Sequence, residues 1–535
     1  MKKLLALFLL CVLLTLSVTA ACARRTPAVS TQTNDESGNA ERESSVSAMS
    51  SNAAEVSLAD SFGETGISDG AVSAPGDAEP ETPEELLLSQ LGNMDLGGFN
   101  CHILVSAEQD LAGQLAAEEN KPDVLNTAVA ERNELLETLY GFTLSVRTVE
   151  GCDELLDAVR TDLIAGLQTV NLFAGGAHAV GFLSIEGAAY DFAADEFDAG
   201  LRLDAPWWDG ALLDALAVGG RATLLSGDVM LSSAERLEVL YCNQSLLREH
   251  GLTDPFALFE GGEWSPEALI RLCRDASAAG LTGMVGNESM VDGLMTAAGA
   301  PMLRRAEDGT VEPSEAEVLA ERFAELFSLL SDESAWRYSR VYDYSFGCDA
   351  DAPLDALFYG GEALFMIMPL GDADAEALRT MEDEYAILPL PSGDGANLSA
   401  PIDSHGYPVI ALSVGAPLDD LPKAAAVLDA LACYNHFYIE PQYRRAMLKR
   451  FGLEAQAALI DELLDAQTAD PVGVFDAGSS PLRFFSEALL DLEERENGLS
   501  NGDDFDFVQT AADRMAAFAR MAADDIQYCI DLYND

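Results

Sequence analysis

Apolar positions recur at helical spacing from Asp123 to Tyr140, DVLNTAVAERNELLETLY, where Leu125, Val129, Leu136 and Leu139, with Ala128 and Leu135, keep one face apolar. Gly141 ends that pattern, as glycine does where a helix must leave through a left-handed residue. The period then switches to two: Phe142, Leu144 and Val146 alternate with polar residues in FTLSVRTV, the pattern of a half-buried strand. FNCHILV (Phe99 to Val105) before it and TVNLFAG after it also read as strands, and Asp153 to Ala165 reads as a helix. The order βαβαβ predicts the start of an open α/β sheet. Further on, LEVLYCNQSLLREHGL runs from a strand into a helix. WSPEALIRLCRDASAA is a helix with Ser265 as N-cap and Pro266 at its first position. GGEALFMIMPL, YAILPLP and HGYPVIAL are three more apolar strands, and the chain from Pro422 onward is mostly helical.

The N-terminus has a different pattern. Lys2 and Lys3 precede an apolar stretch from Leu4 to Val18, and Thr19, Ala20 and Ala21 lead to Cys22. This order predicts a secretory signal over residues 1–21, too short for a spanning helix. The small residues before the cysteine resemble the lipobox of bacterial lipoproteins, which implies lipidation at Cys22. Residues 22–90, rich in Ser, Ala, Glu, Asp and Gly, hold too little apolar surface to fold and are expected to form an acidic tether. A coil of that length spans on the order of 45 Å. No second apolar run is long enough to cross a membrane.

Composition narrows the function. The 535 residues carry 91 acids against 30 Lys and Arg, a net charge of −61. That argues against nucleic acid or anionic lipid as a partner. About 445 residues after the tether exceed the usual size of one core, so two lobes are expected. The cysteines beyond Cys22 are scattered without a CxxC and form no disulfide framework. Phosphate-loop, dinucleotide, serine-hydrolase and zinc patterns are all missing from the sequence. Ser404 and His405 are neighbours on an expected strand and would point to opposite faces, which speaks against a nucleophile–base pair. DADAE (Asp372 to Glu376) lacks the glycine and closing glutamate of a calcium loop. No cofactor is expected.

Several segments together resemble the extracellular solute-binding proteins of ABC importers, family 1, the maltose-binding-protein-like group. Tyr241, Asn243, Leu247, Gly251, Leu252, Pro255 and Trp264 match that family's crossing segment. Gly360 to Leu378 resembles its return segment, with Met368–Pro369–Leu370 where a sugar-facing tryptophan often stands. YAILPLPSGDG and SHGYPVIAL followed by KAAAVLDALACY are similar to later segments. PWWDGALLDALAVGGRATLLSGD and MLKRFGLEAQAALIDELLDA resemble a clostridial-type subgroup. The resemblance implies a two-lobe α/β periplasmic-binding-protein-like fold, with crossover strands as hinge and a central cleft.

It also implies the lobes, 97–238 plus 361–410 for the first and 239–360 plus 411–535 for the second. Glu108 and Asp110, Phe173 and His178, Tyr241 and Asn243, and Ser404, His405 and Tyr407 are expected at the cleft. Trp207, Trp208 and Trp336 are candidate platforms for a sugar. The expected protein is a monomeric, non-enzymatic receptor, anchored outside the cytoplasmic membrane. It would capture a small solute, first of all a carbohydrate, and deliver it to an ABC permease. The excess of acids suits a cationic ligand such as a polyamine equally well, if those acids line the cleft. The alternatives are an exported glycoside hydrolase, or a sensor or adhesin that transports nothing.

Overall fold

The computed structural model describes residues 82–107, 111–192, 200–306, 309–339, 354–475, 480–496 and 506–534. The strands among them are, in chain order, β1 (Phe99–Ser106), β2 (Phe142–Val149), β3 (Leu172–Gly176), β4 (Glu238–Asn243), β5 (Thr282–Asn287), β6 (Leu303–Arg305), β7 (Val311–Pro313), β8 (Trp336–Ser339), β9 (Ala363–Pro369), β10 (Tyr385–Pro389), β11 (Ala400–Pro401), β12 (Pro408–Leu412) and β13 (Gln467–Thr468). They form a four-stranded sheet, β12-β3-β1-β2, and a five-stranded sheet, β10-β4-β9-β5-β8, with two small ribbons.

The first sheet follows from the pattern switch in the sequence. β1 pairs in parallel with β2 and β3, so the chain must cross over a face between strands. The helices Val124–Tyr140 and Cys152–Ala165 make those crossings. Asp123 caps the first through its side chain, which accepts from the Asn126 amide, and Gly141 ends it at φ 68°. β12 joins β3 antiparallel from a distant part of the chain. Cys101, Ile103 and Val105 of β1 share one buried cluster with Ala424, Ala425, Leu428 and Leu431 of the helix Leu421–Tyr434, while Leu104 packs into another.

The second sheet also sorts its residues by parity. Leu240 and Cys242 join one buried cluster, and Val239 and Tyr241 join another. Successive strand residues face opposite sides, so a single step along β4 changes the core a side chain enters.

The lobe boundaries differ from the expected ones. β9 and β10 pair with β4 in the second sheet, so within 361–410 only the start of β12 belongs to the first. The helix Leu421–Tyr434 packs in the core of the first lobe, although it falls in the segment expected in the second. The strand patterns were legible, but both sheets take strands that are distant in sequence, and periodicity does not say which sheet a strand joins. The segments that link the two sheets along the chain include the 3₁₀ turn Leu231–Arg236 before β4 and residues 390–407 between β10 and β12, and the π turn Asn435–Ile439 ends the helix Leu421–Tyr434.

Order also begins earlier than expected. Pro83–Leu91, inside the expected tether, is a helix closed by a capping box between Thr82 and Glu85. Leu87 and Leu91 are buried in the core of the first lobe. These two leucines at helical spacing dock the short segment together with Arg202, whose guanidinium donates to the Gln90 and Leu91 carbonyls. Cys22 lies outside the described residues. Among the described residues no helix is long and apolar enough to cross a membrane.

Candidate functional site

A cavity of about 620 Å³ opens where the end of the second sheet meets the turn leading into the first. Its floor is the carboxyl end of β5 and β9, which run parallel, with the first residue of antiparallel β4 beside them: Glu238 pairs with Pro369. One wall is the helix Met290–Ala297. The other is the turn Asp403–His405, just before β12. Crevices at the carboxyl ends of strands are where open α/β sheets hold ligands. The volume lies in the usual range for a small-molecule site, roughly 300–1,000 Å³.

The lining has an unusual charge. Glu238, Asp292, Asp355, Asp372, Asp403 and Asp470 all reach it, and among the described residues no lysine or arginine does. The six differ in how they are held. Asp372 accepts from the Arg236 guanidinium at 2.8 Å, just outside the lining. Asp470 accepts from the amides of Met302 (2.6 Å), Leu303 (3.2 Å) and Val472 (3.0 Å) and so clamps the backbone. Burial still pushes it up to about 6 against those three bonds. Asp355 accepts from the Ala356 amide at the start of a helical turn.

Asp292 accepts from the Leu482 amide at 2.7 Å. Burial raises it to about 7, opposed by its bonds to Ser480 and Leu482 and reinforced by Asp470 and Asp403. Asp403 accepts from the His405 amide at 3.0 Å.

Glu238 is the most constrained. It is 5% exposed, and its Oε2 has no hydrogen-bond partner among the described residues. That oxygen ends over Gly293, where a Cβ would sit 1.6 Å away, so the missing side chain makes room for the carboxylate. Burial raises its pKa well above the ordinary carboxylate value, and Asp403 and Asp292 raise it further.

Two histidines back the turn. His405 lines the cavity, and His178 stacks on it at 4.8 Å between ring centroids. His178 lies not on a loop but in the first turn of the helix Ala177–Ile185, which starts directly after β3. Its Nδ1 donates to the Gly473 carbonyl at 3.1 Å, and its amide donates to the Ser404 carbonyl at 2.7 Å. Burial, and next the neighbouring His405, lower its pKa, so it stands neutral at pH 7. Ser404 and His405 sit on a turn rather than a strand, because β12 begins only at Pro408.

Of the residues expected at the cleft, Ser404 and His405 line this cavity, and His178 supports it from behind. Glu108 and Asp110 lie outside the described residues. Phe173 on β3 is fully buried, in the cluster that includes residues of both sheets. Tyr241 faces the opposite side of the sheet from Glu238 and donates to the Leu370 carbonyl at 2.9 Å. Asn243 caps the helix Gln244–His250 and donates to Asp383 at 2.8 Å. Tyr407 is a buried cross-brace: it accepts from Ser226 at 3.3 Å and donates to Gln467 at 3.1 Å.

The tryptophans are not platforms. Trp207 and Trp208 are buried and both donate to one Asp429 oxygen, at 3.1 and 2.9 Å. Trp336 is fully buried against Tyr338. The carboxylates were not expected at the cleft, although two of them interrupt apolar stretches: Glu238 opens EVLYCN and Asp292 sits in MVDGLM. An acid inside an otherwise apolar stretch was the available signal.

No protein-family model matches the chain, and no curated protein matches it. Among solved structures, it is similar to a family 1 extracellular solute-binding protein from Bifidobacterium longum subsp. infantis, at 13% identity and a TM-score of 0.48, over 79% of this chain and 99% of that one. It is also similar to the galacto-N-biose-/lacto-N-biose I-binding protein of the ABC transporter from Bifidobacterium longum, at 14% identity and 0.48, over 81% and 97%. Maltose-bound MalE3 of T. maritima follows at 15% identity and 0.44, over 79% and 100%.

Proposed function

We propose that this protein is an extracellular receptor that captures a small polar solute between its lobes. The observation that carries the reading is the cavity itself, built from strand ends of one lobe and from the turn that leads into the sheet of the other. A ligand there touches both lobes and favours whichever arrangement brings them together. Lipidation at Cys22 would hold the receptor at the outer face of the membrane, and the acidic segment after it would keep it near an ABC permease. Carbohydrate is the solute class that the sequence resemblance implies.

The test is thermal unfolding of the full chain against sugars, amines, amino acids and peptides. A ligand at 100 times its Kd adds about 2.7 kcal/mol, a shift of a few degrees. A hit recovered unchanged supports a receptor; a hit that is consumed identifies an enzyme and overturns the reading. Cys22→Ser should abolish fatty-acid labelling and release the protein from the membrane fraction, and retention of both would refute the anchor.

A further inference from the structure

Resting on the receptor reading, we infer that the cavity selects an aliphatic di- or polyamine, with one ammonium group seated between Glu238, Asp292 and Asp403. Three observations carry this.

The first is sign. The lining holds six carboxylates and, among the described residues, no lysine or arginine. The basic groups beside it are Arg236, which is engaged by Asp372, and the His405–His178 pair at the turn. A neutral hydroxylated ligand would leave these carboxyl groups buried without a cation, several of them held protonated by burial, whereas an ammonium group compensates their ionised form directly.

The second is an unmet bond. Glu238 Oε2 is buried without a donor among the described residues, although Gly293 has no side chain and so leaves room for it. A buried carboxylate oxygen without a donor is costly, and an ammonium supplies three. Glu238 on β4, Asp292 on the helix Met290–Ala297 and Asp403 on the turn before β12 line the same cavity, so three separate elements present a carboxyl group to one space.

The third is the material between the charges. Met290, Ile367, Met368 and Leu482 give the lining an apolar stretch suited to a methylene chain. A bare metal ion fits less well: among the described residues no three His, Cys, Asp or Glu side chains are placed to hold one, and a metal draws its oxygens to about 2.0–2.6 Å where an ammonium hydrogen-bonds at about 2.7–3.2 Å.

The experiment is titration calorimetry of the full chain with spermidine, putrescine and, as neutral probe, maltose. Spermidine should bind, more weakly as salt rises. Near pH 7 binding should release protons, seen as a heat that changes with buffer ionisation enthalpy, because the bound cation favours the ionised carboxylates. Glu238→Gln should weaken spermidine tenfold or more. The same variant should unfold at an equal or higher temperature, which separates a lost contact from a lost fold. Asp403→Asn provides a second variant on a different element, expected to lose affinity in the same direction.

Spermidine binding that both variants leave unchanged would mean adsorption to the acidic surface and would overturn the inference. A neutral sugar that binds while both amines fail overturns it too, and leaves the receptor reading standing. Failure of the amines, of maltose and of the wider solute panel on a folded sample overturns both.

Discussion

The residues that matter most here are acids in places where acids are costly. Asp292 is raised to about 7 from an ordinary value of 3.8, so between those two pH values the folded protein holds a proton that the unfolded chain has released. Its contribution to stability therefore falls as pH rises from about 4 to 7. Asp292→Asn should raise stability above pH 7 by roughly 1–3 kcal/mol after solvent screening, and flatten part of that slope. Urea unfolding at pH 5 and pH 8 measures it, and an unchanged slope would refute the assignment.

Trp207→Phe should behave in the opposite way. It loses one donor to buried Asp429, costs about 1–3 kcal/mol and leaves solute binding alone. A loss of binding without a loss of stability would return Trp207 to the site. The residue-level reading of the sequence failed where parity decides. Tyr241 and Glu238 lie three positions apart on one strand, and only the pleat determines which of them faces the cavity.

Single elements show what local pattern can and cannot convey. Both crossover helices and the glycine stop of the first were legible, because helix period and C-cap chemistry are local. The helix Pro83–Leu91 was hidden in a polar stretch, since its docking depends on the distant helix Leu421–Tyr434. Leu87→Ala should cost about 2–5 kcal/mol, as truncation of a buried leucine usually does, and a change under about 0.5 kcal/mol in denaturant unfolding would show that the segment is dispensable.

The π turn Asn435–Ile439 carries a second local device. His436 Nδ1 bonds Asp228 at 2.6 Å, and Asn435 donates to the Asp228 carbonyl at 2.8 Å. The Asp228 hydrogen bond raises His436, against burial. That stabilisation is fully present below the ordinary value of 6.5 and is lost as pH rises through the raised one. His436→Gln should remove this part of the pH dependence, about 1 kcal/mol or less, as read from unfolding midpoints between about pH 6 and 9.

At the scale of the whole molecule, the two sheets are not independent bodies. Leu104, Leu155 and Val180 of the first lobe and Leu240, Met284 and Ile367 of the second belong to one buried cluster, bridged by Val472, Val474 and the helix Phe507–Asn534. The sequence revealed two α/β lobes and a mostly helical end. It did not reveal that this end ties the lobes together, because its amphipathic stripe looks the same whatever it packs on. Any opening of the cavity must keep that bridge packed or hinge around it.

All four tryptophans lie in packed interiors, with Trp264 donating to the Pro389 carbonyl, and none borders the cavity. Their emission should be blue-shifted and poorly accessible to iodide or acrylamide. A solute entering the cavity has no indole to quench on contact. On the receptor reading, a change in tryptophan emission on binding would therefore report a rearrangement away from the solute rather than contact with it, an optical gauge of closure built into the packed interior.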